Sequence, residues 1–231
     1  MQVGQDAAEI ERDEGFSKPE ALRDRIYLDL RRRLQRSEIG PSDRLVDTEI
    51  AAVYGASRMP AREALMRLVH EGYLSGSTRG FVIPVLSALD VLDIFEIRRL
   101  LEPRAAALAA RDLTEATAAA LTEALADARA AHAAGDMEAL ILANVDFRTA
   151  WLRAVGNARL AATIARFVDQ VQAVRLLTLR DAGTRQIVLA GLAGLHDAFL
   201  RRDAVAAADR MAEFVAHAER AFRALHDGAA A

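Results

Sequence analysis

Three arginines, Arg58, Arg62 and Arg67, fall within ten residues of the stretch SRMPAREALMRLVHEGYL, which runs from Ser57 to Leu74. A guanidinium is a planar fork of donors that stays charged at physiological pH, and it can grip a phosphate or read guanine O6 and N7 bidentately. The whole chain carries a formal net charge of -3, which at first sight opposes a polyanionic partner. The charge is unevenly spread, however. Residues 20–85 hold eleven arginines against nine acidic residues, a local surplus of +2, whereas residues 1–19 hold five acidic residues against two basic ones. A polyanion responds to the field of the face it meets, not to the total. The competing reading is a solvated amphipathic helix whose arginines only keep it soluble.

The elements that must present these arginines choose between the two. Leu22, Ile26, Leu30 and Leu34 recur every four residues and predict a helix over 20–36 with a narrow apolar stripe. EIGPSDRL breaks it, and DTEIAAVY predicts a short second helix, capped by Asp47 and ended by Gly55. Ser57 is placed to cap a third helix, with Pro60 tolerated in its first turn and Gly72 closing it. On that helix Ala61, Ala64, Leu65 and Leu68 share one arc, while Met59, Arg62, Glu63, Met66 and Arg67 share the opposite one. YLSGSTRGFVIP then reads as two short strands around a turn. A short helix, a tight turn, a helix with a basic outer face and a glycine-rich hairpin, in that order, describe a winged helix-turn-helix.

The same stretch, DTEIAAVYGASRMPAREALMRLVHEGYLSGSTRGFVIP, resembles the winged helix of the GntR transcription-factor superfamily. The resemblance rests on Ile50-Ala51, Gly55, Ala56-Ser57-Arg58, Met59-Pro60, Arg62-Glu63-Ala64-Leu65 and Arg79-Gly80. It implies that Arg58 and Arg62 contact bases and phosphates in the major groove, that Thr48 and Ser57 contact backbone, and that Arg79 and Gly80 enter or flank the minor groove. Met59 stands where the family has threonine, a departure that removes a phosphate contact or alters sequence preference.

Beyond Pro84 the texture changes. Helices are predicted at 87–111, 115–134, 137–155, 158–181, 185–201 and 204–226, with Ser87 and Asp90 at capping-box spacing. The fold class is therefore mainly α: a tail over 1–19, a winged helix-turn-helix over 20–85 with three helices and a β-hairpin, and an all-α bundle of six to seven helices over 86–227. SALDVLDIFEIRRLLEPRAAALAA, NVDFRTAWLRAVGN and GLHDAFLRRDAVAAADRMAEFVAH resemble the FCD ligand-binding domain of the FadR branch. Many such domains hold a divalent metal with an aspartate, a histidine four residues later and two histidines on later helices. The resemblance maps these places onto Asn144, Arg148, His196 and His217. A guanidinium cannot bind a metal and an amide oxygen binds one weakly.

Two readings of this pocket stay open. In one, Arg148 replaces the metal's charge and, with Arg98, Asn144, Arg175, His196 and His217, holds an organic acid. In the other, His196 and His217, with Asn144 or Asp146, keep a zinc or nickel ion. Arg98 and Arg175 could equally serve structural ion pairs; Trp151 reads as core or interface, and His132 carries no role.

The chain has no cysteine, which excludes disulfides, thiolate zinc sites and cysteine nucleophiles. No signal-peptide core and no membrane-spanning run are evident, so a cytoplasmic location is expected. The resulting expectation is a homodimeric, metabolite-responsive repressor, not an enzyme, that binds a palindromic operator in double-stranded DNA. A metalloenzyme at His196 and His217 would need a general base that the sequence does not offer. A winged helix used only for protein contacts is the remaining alternative.

Overall fold

The computed structural model describes residues 19–36, 38–170 and 172–229. The acidic tail expected over 1–19 lies almost wholly outside them. The chain divides after Val85 into two compact units.

The first unit holds α1 (Pro19–Gln35), α2 (Asp47–Val53), α3 (Arg58–His70) and a hairpin of β1 (Ser75–Ser77) and β2 (Gly80–Val82). The strands are antiparallel, with Ser75 opposite Val82 and Ser77 opposite Gly80. Leu45 adds a bridge on the other side of the ribbon, exchanging two backbone bonds of 2.8 Å with Phe81. Gly80 makes this approach possible. Its φ is +134°, and a Cβ there would stand 2.6 Å from the Leu45 carbonyl oxygen.

The predicted apolar arc of α3 is the core of this unit: Ala61, Ala64, Leu65 and Leu68 are fully buried, packed with Ile26 and Leu30 of α1. Two tyrosines tie α1 to the rest. Tyr27 donates to Glu71 at 2.5 Å, and Tyr54 donates to Asp29. Neither expected cap forms. Val46, not Asp47, occupies the N-cap of α2, and Ser57 at the N-cap of α3 makes no side-chain capping bond. Asp47 lies inside the first turn of α2, and its carboxylate pairs with arginines of α3.

The second unit comprises α4 (Ala88–Arg111), α5 (Glu115–Ala134), α6 (Met137–Arg153), α7 (Ala158–Gln170), α8 (Gln172–Thr178), α9 (Ala182–Leu200) and α10 (Ala204–Ala229). The helix starts obey local chemistry. Ser87 and Asp90 form the expected capping box, and Thr114, Asp136 and Asp181 each accept a backbone N–H three residues on. Gly135, at φ +69°, ends α5 in the left-handed region. The expected helix over 158–181 stops earlier, at Thr178, since Asp181 turns to cap α9 instead.

α4 packs along α10, α5 along α6, and α9 bridges α5 and α10. Small residues set the spacing. Ala105, Ala106, Ala109 and Ala110 of α4 are fully buried, and a Cβ at Gly191 of α9 would stand 2.3 Å from the Phe214 ring of α10. Trp151 is core, stacked on Phe199 at 6.5 Å between centroids. Among the described residues no helix is long and apolar enough to cross a membrane.

Candidate nucleic-acid interface and ligand pocket

The outer face of α3 carries Arg58, Met59, Arg62, Glu63, Met66 and Arg67, all exposed. No acidic residue lies in its first turn, so the helix N-terminus, a site of partial positive charge, is not neutralised from within. Arg58 and Arg62 lie side by side, one turn apart, and both reach Asp47. Arg58 Nη2 is 3.3 Å from Oδ1 and 3.2 Å from Oδ2, and Arg62 Nη1 is 3.6 Å from Oδ2. Asp47 itself is only 8% exposed.

The third arginine of the cluster does different work. The Arg67 guanidinium lies 3.7 Å above the Tyr27 ring and pairs with Asp24 at 3.3 Å and Glu71 at 3.1 Å. It braces α3 against α1 and has little capacity left for a ligand.

Thr48 and Ser57 are exposed near the start of α2 and α3, and Met59 is 66% exposed. Arg79 is exposed at the tip of the hairpin, where its backbone N–H donates to Ser77 Oγ at 3.4 Å. Gly80 beside it meets Leu45, and its backbone geometry is what the wing requires. Asp47 was read from the sequence only as a cap. Its spacing of eleven residues to Arg58 gives no local signal, because the pairing needs the turn between α2 and α3.

In the second unit a cavity of about 70 Å³ lies among α4, α6, α8, α9 and α10, with a smaller chamber of about 20 Å³ sharing part of its wall. Arg98, Asn144, Arg175 and Phe214 line both. Arg148 lines the smaller chamber, and His217 lines the larger cavity. Asn144 and Arg148 stand four apart on α6, hence on one face, and both are buried. Arg98 is 5% exposed and bonds Glu102 through Nε to Oε1 at 2.5 Å. The larger cavity is otherwise mostly apolar, with Phe95, Val174, Leu179, Ile187, Val188 and Phe214.

His196 does not belong to this pocket. Its Nε2 meets Thr122 Oγ1 of α5 at 2.9 Å, and burial, reinforced by the positive charge of Arg129, pushes its pKa below the usual value of 6.5. The residues of α9 that line the chambers are Thr184, Ile187, Val188, Leu192 and Leu195. His196 lies four residues beyond Leu192, at the edge of this arc, and its ring is engaged by Thr122 of α5 instead. The expected grouping of His196 with His217 and Asn144 is therefore corrected. Asp146 is also off the pocket, exposed two residues along α6 from Asn144.

The donor set does not suit a metal. Among the described residues no group of three or more histidine, cysteine, aspartate or glutamate side chains could hold one. The cavity wall offers one imidazole and one amide beside Arg98 and Arg175, with Arg148 in the adjoining chamber. A guanidinium cannot ligate a metal, so these described lining residues offer a divalent cation few donors.

Comparison with known proteins follows the same two-part division. The profile of the FCD domain matches residues 93–217, more than half of the chain, and that of bacterial regulatory proteins of the gntR family matches residues 22–81. The chain is 36% identical over 137 residues to the HTH-type transcriptional regulator McbR of Escherichia coli, covering 59% of this chain and 62% of that protein. It is 41% identical over 76 residues to the Nta operon transcriptional regulator of Aminobacter aminovorans, covering 32% and 36% respectively. The solved structure of E. coli McbR/YncC superposes with a TM-score of 0.77 at 27% identity, over 89% of this chain and 98% of that one.

Proposed function

Because the chain belongs to the gntR family of bacterial regulatory proteins and carries an FCD domain after its gntR head, we propose that it regulates transcription by binding operator DNA through α3 and the β1–β2 wing. The observation that carries this reading is the two-sided character of α3: one face fully buried in the head, the other presenting Arg58 and Arg62 outward one turn apart. An α-helix fits the major groove, and arginine forks read guanine there. Thr48, Ser57 and Arg79 supply contacts to the backbone and Met59 an apolar one, with Gly80 shaping the wing that carries Arg79.

The protein acts as a homodimer on a palindromic site, one head per half-site. It is a repressor whose grip on DNA loosens when a small organic acid enters the second unit. Arg98, Arg148 and Arg175 line the two chambers, and their guanidinium forks are suited to a carboxylate. Asn144 and His217 add hydrogen-bonding groups.

The test of DNA binding is a selection from random duplexes followed by titration of the recovered duplex at several salt concentrations. Six to ten phosphate contacts lower affinity by about 10³–10⁵ between 50 and 200 mM salt. A flat salt response would instead favour a head that contacts proteins. The pocket is tested by thermal unfolding against short carboxylates with and without chelator. Stabilisation that survives chelation supports the arginine pocket; stabilisation abolished by chelator would overturn it.

A further inference from the structure

We propose that Asp47 is the positioning residue of the DNA-reading face, holding Arg58 and Arg62 at a set spacing and weakening their attraction to phosphates at large. The proposal rests on the DNA-binding reading above and goes beyond it in naming how sequence-blind binding is limited.

Asp47 is anchored. It lies in the first turn of α2, where a carboxylate is favoured by the helix N-terminus, and its side chain is 10% exposed. Its two partners are the reverse, with side chains 66% and 62% exposed. A buried anion thus underlies two exposed cations. It holds them from a different helix, so their separation depends on the α2–α3 turn as well as on α3.

Each guanidinium engages Asp47 through one terminal nitrogen, Nη2 of Arg58 and Nη1 of Arg62. With five N–H donors on a rigid fork, each keeps donors for a base edge. Arginines already restrained near their docked geometry lose less freedom on binding, which favours a bidentate partner at one place over phosphates anywhere. The carboxylate also cancels one of the two positive charges on this patch. Sequence-blind affinity depends on how many phosphates the protein neutralises, so that cancellation weakens it first.

Asp47→Asn keeps the shape and an acceptor while removing the charge. The probes are the duplex that the wild-type chain enriches from a random library and a scrambled duplex of equal length and composition. The variant is expected to bind the scrambled duplex about three- to tenfold more tightly, with a salt slope steeper by about one phosphate. It is expected to bind the enriched duplex no better than wild type, so the ratio of the two affinities falls by at least about three- to tenfold. The same substitution in an Arg58→Ala background should change that ratio much less. An unchanged ratio in the single variant would overturn the proposal. So would equal weakening on both duplexes together with a lowered melting temperature, or an undiminished effect in the Arg58→Ala background. If wild type enriches no duplex at all, the DNA reading itself fails, a result distinct from a failure of the Asp47 assignment.

Discussion

The two units of this chain use arginine in opposite environments. In the head, Arg58 and Arg62 stand in solvent and share one anchored carboxylate. In the bundle, Arg98 and Arg148 are buried at 5% and 7% exposure, and Glu102, at 3%, holds Arg98. A solvent-exposed pair contributes at most about 1 kcal/mol to folding, because water and salt screen it. A buried charge that loses its partner costs about 3–5 kcal/mol, because its hydration is not recovered. The head can therefore keep its arginines available to a ligand at almost no cost to stability, whereas the bundle must balance each buried charge within its own walls.

That contrast can be broken at several points. The largest effect is expected from Glu102→Ala, which strands Arg98 in the core. A loss of about 3–5 kcal/mol, or roughly 10 °C in melting temperature for a chain of this size, should appear in thermal unfolding. A shift under 2 °C would mean that Arg98 finds water or another acceptor, and that the bundle tolerates charge as the head does.

Arg58→Ala is the counterpart in the head. Its melting temperature should fall by only a few degrees, since Arg58 is exposed and Arg62 still pairs with the buried Asp47. Affinity for the enriched duplex should fall by about 1–3 kcal/mol, measured by fluorescence anisotropy. A comparable fall on a scrambled duplex would assign Arg58 to phosphate, not to a base.

Gly80→Ala sharpens the distinction between residues that contact DNA and residues that shape the surface. The φ of +134° and the 2.6 Å approach to Leu45 make any Cβ strained, at about 1–3 kcal/mol. The loss should be confined to the first unit, read as faster amide exchange at Leu45 and Phe81 with protection in α4 to α10 unchanged.

The smallest effect concerns His196. An imidazole whose folded pKa lies below 6.5 takes up its proton more readily in the unfolded chain. Its contribution is fully present above pH 6.5 and is lost as pH falls through the lowered value. Wild type should therefore lose more melting temperature between pH 7 and pH 5 than His196→Gln. Equal losses would show that the Thr122 contact does not depend on the neutral ring.

Much of this was legible in residue order because it follows from short-range periodicity. The buried arc Ala61, Ala64, Leu65 and Leu68, the hairpin, and the Ser87–Asp90 box each depend on spacing of at most seven residues. The resemblance carried by Ile50-Ala51 through Arg79-Gly80 was enough to indicate the family. The pocket was legible only in part. Arg98, Asn144, Arg148, Arg175 and His217 do line the two chambers, but His196 does not. A histidine near the expected place on α9 passes a pattern match, yet its contact with Thr122 on α5 is a matter of packing that the pattern does not carry.

The order of residues determined the mainly α class, the winged head and its basic outer face, since helix period, turn glycines and charge pattern are properties of neighbours along the chain. It also identified three arginines without separating them. Packing of α3 against α1 and α2 made Arg67 a brace on Tyr27 and gave Arg58 and Arg62 a common partner in Asp47. Packing of α9 against α5 gave His196 a partner in Thr122, away from the pocket-lining residues. Those outcomes belong to tertiary structure because each joins groups far apart in sequence, and which groups meet depends on how one helix is rotated against another.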